Sequence, residues 1–320
     1  MTDGTRATPD RAGQRQGRGE GRVRVRVPAK VNLQLGVGPA RADGFHSVAT
    51  VYQAVSLFDE VTVEPAERLE VVVTGEQTAG VPADATNLAA RAAVLVAAYA
   101  GVEPLVRITL HKGIPVAGGM AGGSADAAGA LLGCAELWDA PLTPEQLTGL
   151  AAQLGSDVPF ALAGGTAVGL GRGEQLTPAL TSGRFSWVFA LADGGLSTPA
   201  VYAECDRLRA GQAVPEPRVS DAVMTALRAG SPAGLGAALA NDLQPAACSL
   251  RPSLGRLLAV GAEHVAGALV SGSGPTCAFL AHDDDAARSL AEQLTATDGV
   301  RGVRRAYGPV PGARILATQG

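Results

Sequence analysis

Apolar residues recur along the chain with two periods. From Arg22 onwards they divide it into short strands and helices. Arg22–Val27 alternates arginine with valine, the pattern of a half-buried strand. Val48–Leu57, Glu60–Val63 and Leu69–Val73 read as further strands. Thr86 or Asn87 stands where a side chain can cap a helix running to Ala100, a stretch rich in alanine, the strongest helix former. Val106–His111 is a strand feeding a glycine-rich loop, and Ser124–Trp138 reads as the helix after it. Thr143–Leu154 is a helix with Pro144 at its first position, where a missing N–H costs nothing. Beyond a glycine-rich stretch at Gly164–Gly173 the pattern restarts with a strand at Phe185–Ala192. Helices follow at Thr198–Arg209, Asp221–Arg228 and Leu250–Val260. A second glycine-rich turn joins Ala268–Val270 to the strand Cys277–Ala281, and helix Asp284–Thr295 leads to a closing strand, Arg301–Ala306.

The class is therefore α+β. The strand, helix, helix, strand, helix, strand order of the second half predicts a ferredoxin-like unit. A chain of 320 residues is long for one core and comfortable for two. A boundary near residues 172–184 gives an N-terminal domain over 22–175 and a C-terminal domain over 185–312. Residues 1–21 are rich in arginine and glycine without apolar periodicity, and read as a disordered tail. They lack the apolar core of a secretory signal.

Composition then removes several function classes. A net charge of −4 gives no field that would gather nucleic acid, and no basic stripe with interleaved aromatics is present. Cys134, Cys205, Cys248 and Cys277 form no CxxC or Cys/His cluster, which argues against zinc and against a disulfide framework. Free thiols in a reducing cytoplasm are the expectation. No apolar run reaches the roughly 18 residues that a membrane span needs.

The strongest chemical signal is PVAGGMAGGSADAA, Pro115–Ala128. Glycines 118, 119, 122 and 123 sit between a strand and a helix. Phosphate oxygens need backbone N–H donors at close range, and glycine lets the backbone approach. The free amides and positive end of the following helix point at the anion. Ser124 can cap that helix or offer its hydroxyl to phosphate or Mg2+. The loop lacks the lysine of GxxxxGK[ST], so charge must come from elsewhere. Lys30 and Lys112 are the only lysines, the other 24 of the 26 basic residues being arginine. Lys30 and Asn32, two apart in PAKVNLQLGV, share one face of a strand.

Three further segments carry alternatives. In RADGFH, Asp43-Gly44 is a turn signal, and Phe45 and His46 are either core residues or a binding pair. In LGSDVP, Asp157 is either a cap for the next turn or a catalytic carboxylate. VSGSGPTCAF, Val270–Phe279, is a plain β-turn or part of a phosphate site.

Together these segments resemble the GHMP kinase superfamily, in the same order, over roughly residues 22–310. RADGFH combined with the others resembles the branch acting on a cytidine-diphosphate-bearing methylerythritol in the non-mevalonate route to isoprenoids. The resemblance implies a ribosomal-protein-S5-domain-2-like first half and a ferredoxin-like second half. It implies an ATP-dependent kinase that phosphorylates the 2-hydroxyl of that acceptor, with ATP and Mg2+ as cofactors and no dedicated protein metal site. ATP would lie along Pro115, Val116, Ala117, Gly118, Gly119, Met120, Ala121, Gly122, Gly123, Ser124 and Ala125, with Asn87 and Lys112 near adenine and ribose. Phe45 and His46 would hold the cytidine, with Tyr202 of STPAVY stacking on its other face. Lys30 and Asp157 match the catalytic pair, with Asn32 and Thr198 beside them. The implied enzyme is cytoplasmic and is a monomer or homodimer, with no membrane or nucleic-acid partner. The superfamily loop more often has glycine where this chain has Ala117 and Ala121. Since alanine disfavours φ > 0, those two positions are expected at negative φ, with the four glycines bearing the special conformations.

Overall fold

The computed structural model describes residues 21–76, 78–116, 118–260 and 265–319. Nearly all of the predicted tail, and Ala117 of the loop, lie outside them. The alternation that begins at Arg22 runs on through PAKVNLQLGV as one long strand, β1 (Arg22–Ala40). Its antiparallel partner β2 (His46–Pro65) merges the two strands expected at Val48–Leu57 and Glu60–Val63. Irregular steps in the β1–β2 register at Pro28/Ala29 and Asn32/Gln34 flank the face that carries Lys30 and Asn32.

The remaining elements of the first half are β3 (Glu70–Gly75), α1 (Leu88–Ala100), β4 (Val106–Lys112), α2 (Gly122–Leu137), α3 (Pro144–Leu154), α4 (Val158–Ala163), β5 (Thr166–Leu170) and β6 (Gln175–Pro178). Asn87 caps α1, its side chain accepting from the Ala89 amide, and Thr143 forms a capping box with Gln146 on α3. Helix α2 begins two residues before the expected Ser124, with Ala121 at its N-cap. It lies hard against the sheet because its contact face is small. A Cβ on Gly129 would stand 2.5 Å from Val61, and one on Gly133 3.0 Å from Val63.

The second half comprises β7 (Phe185–Ala192), α5 (Thr198–Leu208), α6 (Asp221–Ala229), α7 (Pro232–Ala238), β8 (Ala240–Asn241), α8 (Gln244–Leu250), α9 (Pro252–Ala259), β9 (Val265–Val270), β10 (Thr276–Ala281), α10 (Asp284–Thr295), β11 (Val300–Gly308) and β12 (Arg314–Gln319). The helix expected over Leu250–Val260 is α9, which starts at Pro252 because its ring cannot continue a preceding ladder, and Leu250 ends the unexpected α8. Strands β11-β7-β10-β9 make an antiparallel sheet in the order of a ferredoxin-like fold.

The halves are joined more closely than their sequence boundary suggests. Strand β12, beyond residue 312, returns to the first sheet and pairs antiparallel with β1, and β8 pairs with β1 in parallel. One buried cluster runs from Val25 and Leu110 through Trp187 and Phe189 of β7, and Trp187 Nε1 donates to Gln53 Oε1 at 3.0 Å. This shared core fixes the two glycine-rich turns against each other.

Candidate active site

Lys30 is 7% exposed, and its ammonium donates to Asn32 Oδ1 at 2.7 Å. Asn32 donates in turn to Thr50 Oγ1 at 2.8 Å, and Thr50 to the Gln34 carbonyl. This chain of bonds fixes the lysine across the β1–β2 pair. Asp157 Oδ2 stands 3.6 Å from Lys30 Nζ. Asp157 occupies the N-cap position of α4, yet its side chain makes no cap hydrogen bond. Its Oδ1 accepts instead from the hydroxyl of Tyr52 at 3.0 Å, which removes the capping alternative. Tyr52 is buried, stacks on Phe160 at 4.8 Å and lies 5.7 Å below the Lys30 ammonium. Burial, and then the neighbouring Asp157 charge, push its hydroxyl well above the ordinary tyrosine range, so it remains a donor.

The RADGFH segment forms a closed turn. The Asp43 carboxylate accepts from the Phe45 amide and pairs with Arg41, while the Arg41 amide bonds the Phe45 carbonyl. The turn holds Phe45 half-exposed and sets His46 at the start of β2. Across from them, α5 places Thr198, Tyr202 and Asp206 four residues apart on one face. The rings of His46 and Tyr202 are 5.0 Å apart, and His46 Nε2 meets Asp206 Oδ1 at 2.9 Å. Burial pushes the Tyr202 hydroxyl up to about 12. A single cavity of about 650 Å3 joins Lys30, Asn32, Asp157 and Ser124 to Phe45, His46, Thr198 and Tyr202.

The glycine loop forms one wall of this cavity and one wall of a second, of about 330 Å3. Gly119 and Ala121 line both. The second cavity also takes in Asn87, Lys112, Pro115, Val116, Gly118, Gly122 and Gly123. Met120 and Ala125 are buried and line neither.

The expected loop geometry requires correction. Of the four glycines, Gly119 alone has positive φ, at 69°. Ala121, expected at negative φ, lies at φ 62° and ψ 34°, because the chain must reverse there to enter α2. Gly119 is required for a second reason: a Cβ there would fall 2.1 Å from the Ser271 carbonyl. The second glycine turn thus packs directly on the first, and Ser271 Oγ donates to the Gly119 carbonyl at 3.2 Å. Gly272 and Ser273 of that turn line the larger cavity, and Ser273 Oγ stands 2.8 Å from Thr198 Oγ1.

Lys112 is 3% exposed, with its ammonium held between Asp59 and Asp126. Asp59 also accepts from the amides of Gly113 and Ile114, which anchors the strand end ahead of the loop. Burial pushes the Asp126 carboxyl up to about 7 against the pull of Lys112, and its Oδ1 has no hydrogen-bond partner among the described residues.

Residues 87–165 match the GHMP kinases N terminal domain and residues 223–299 the GHMP kinases C terminal domain. The 4-diphosphocytidyl-2-C-methyl-D-erythritol kinase of Nocardia farcinica is 57% identical over 90% of this chain and 94% of its own length. That of Streptomyces avermitilis is 56% identical over 90% and 97%. The chain belongs to the 4-diphosphocytidyl-2-C-methyl-D-erythritol kinase family. A crystal structure of 4-(cytidine 5'-diphospho)-2C-methyl-D-erythritol kinase, 35% identical, superimposes with a TM-score of 0.69 over 88% of this chain and 98% of the other. A Leishmania major mevalonate kinase reaches 0.70 at 18% identity over 89% and 95%, a likeness of fold alone.

As a member of this kinase family the chain takes ATP as phosphate donor. Among the described residues no helix is long and apolar enough to cross a membrane. The structure adds residues to the site that the sequence reading passed over. Tyr52 lies within the strand expected over Val48–Leu57, between Val51 and Gln53, where no motif marks it. Asp206 stands four residues beyond Tyr202, a spacing that could have marked it. Ser273 belonged to a turn with two readings. Asn241, whose amide donates to the Val270 and Gly272 carbonyls at 2.7 Å, lies in a segment with no strong period.

Proposed function

We propose that the chain transfers the γ-phosphoryl of ATP to the 2-hydroxyl of 4-diphosphocytidyl-2-C-methyl-D-erythritol, in the non-mevalonate route to isoprenoid precursors. The observation that carries this reading is the larger cavity. It brings Phe45, His46 and Tyr202 into one space with the Lys30–Asp157 pair, and it meets the smaller cavity at Gly119 and Ala121. Cytosine lies between Phe45 and Tyr202, with His46 oriented by Asp206. Asn87 lies beside the adenine and ribose, where Lys112 also borders the cavity. The amides opening α2 receive the phosphates.

Asp157 Oδ1 is already committed to Tyr52, so Oδ2 receives the acceptor hydroxyl. In a loose phosphoryl transfer the proton leaves late, so Asp157 first orients the hydroxyl and then takes its proton. Lys30 pairs with Asp157 and stabilises charge near the attacking oxygen, while Asn32 and Thr198 fix the surroundings. Ser124 lines the cavity beside the loop and would hold Mg2+ together with the phosphates. The ion would neutralise the phosphoryl oxygens. The proposed setting is the cytoplasm, consistent with four free cysteines.

A coupled ADP-release assay across acceptors tests the reading. Turnover is expected with the cytidyl acceptor and not with mevalonate or homoserine. The reverse outcome overturns the substrate, and ATP binding without turnover on any acceptor overturns the activity.

A further inference from the structure

Arg172 belongs to the tight turn between β5 and β6, where its backbone amide donates to Glu174 at 2.7 Å. Its guanidinium lines the larger cavity and lies over the face of Phe45, 4.9 Å from the ring centroid. Among the described residues, Lys30 and Arg172 are the only lysine or arginine residues lining that cavity. They differ in one respect. Lys30 faces Asp157 and Asn32, whereas among the described residues no carboxylate stands within ion-pair distance of the Arg172 guanidinium. Cation–π contact at an exposed ring is worth only about 1 kcal/mol, too little to hold the guanidinium there against a stronger partner.

Its location along the cavity decides what that partner is. The neighbouring Gly173 packs on the Tyr52 hydroxyl, where a Cβ would fall 2.3 Å away, and that hydroxyl bonds Asp157. The Arg172 guanidinium therefore meets Phe45, and its turn backs the tyrosine that bonds the acid. It borders the ring proposed to hold the cytosine, in the same cavity as the acid. In an acceptor held by its cytosine at one end and its hydroxyl at the other, the group at mid-length is the diphosphate. We propose that Arg172 binds the diphosphate of the acceptor, with the planar fork of its guanidinium on the phosphate oxygens and its stem still against Phe45. This inference rests on the proposed acceptor and assigns to Arg172 the discrimination between a diphosphate-linked cytidine and cytidine alone.

The test compares the affinities of cytidine and CDP for the full chain, by calorimetry, in wild type, Arg172→Gln and Arg172→Lys. Wild type is expected to bind CDP about 10- to 100-fold more tightly than cytidine. In Arg172→Gln that gap falls to within about 3-fold, with cytidine affinity little changed, while Arg172→Lys keeps part of it as a point charge. Two outcomes overturn the inference. If both ligands weaken equally and the gap persists, Arg172 merely props Phe45. If wild type itself binds the two alike, the cavity has no diphosphate contact. Failure of the wild-type chain to phosphorylate the cytidyl acceptor would instead count against the proposed function, and the ligand comparison reads independently of it.

Discussion

The two cavities that meet at Gly119 and Ala121 are built in opposite ways. The proposed nucleotide side is mostly backbone: loop amides, a helix start and small residues, with its one lysine locked between two carboxylates. The proposed acceptor side is mostly side chains, drawn from β1, β2, α5 and the short link before α4. The two lysines of the chain show the contrast. Lys112 has both carboxylate partners supplied by the fold and serves to hold the strand end, the loop and α2 together. Lys30 has an amide, and a carboxylate at the longer distance of 3.6 Å that is itself turned into the cavity. A buried cation fully paired by its own protein is a structural element. One left incompletely paired beside a cavity is available for chemistry.

This contrast breaks most sharply at the acid. Asp157→Asn is expected to lower turnover by about 10²- to 10⁴-fold while leaving ATP affinity near wild type, measured by steady-state kinetics and nucleotide titration. Lys30→Met should follow it in turnover, with only a modest loss of stability. Near wild-type turnover in Asp157→Asn would remove the acid from the mechanism.

At the other lysine the effect is expected in stability first. Lys112→Met leaves Asp59 and Asp126 buried together without a cation, a change that costs about 3–5 kcal/mol. Urea unfolding of the two lysine variants side by side checks the contrast. Equal destabilisation by Lys30→Met and Lys112→Met would mean that the two are not different in kind.

The proposed nucleotide side is the more legible in the sequence because backbone sites leave a compositional trace in one short segment. Four glycines before an alanine-rich helix imply close approach wherever they fall. The acceptor side left weaker traces, since its residues are distant in the chain and each alone fits a bland role. Asp157 read equally as a cap until its side chain was seen bonding Tyr52. Phe45 and His46 gained meaning only from α5 lying opposite. The ferredoxin-like order was legible from the alternation of elements. The return of β12 to β1 was not, because a six-residue edge strand carries no period that names its partner. The sign of φ at Ala121 was misjudged for a similar reason: residue preference argued for one conformation, and the entry of the chain into α2 demanded the other.

Asp126 permits a finer test through pH. Burial raises its carboxyl to about 7, whereas an unfolded carboxylate of this type titrates near 3.8. Between those values the folded chain holds a proton that the unfolded chain has released. Stability therefore falls as pH rises through that window, the reverse of an ordinary paired aspartate. Asp126→Asn, which keeps the shape and cannot ionise, should be relatively more stable at pH 8 than at pH 5 when compared with wild type in urea. A difference that is constant across that range would place the ionised form in the folded protein throughout.

The smallest effect belongs to the seam itself. An alanine in the left-handed region costs about 1 kcal/mol relative to glycine, an amount partly offset by the greater freedom that glycine has when unfolded. Ala121→Gly should therefore be neutral to stabilising, by less than about 1 kcal/mol, with a melting temperature raised by about 1–2 °C. Ala121 lines both cavities, so the same variant also changes the seam that the proposed phosphoryl transfer would cross. If the loop conformation is set by the backbone, ATP affinity will stay within about 3-fold of wild type as stability rises. A gain in stability accompanied by a large loss of affinity would show that the methyl, and with it side-chain packing, shapes the nucleotide side too, and the division between the two cavities would narrow.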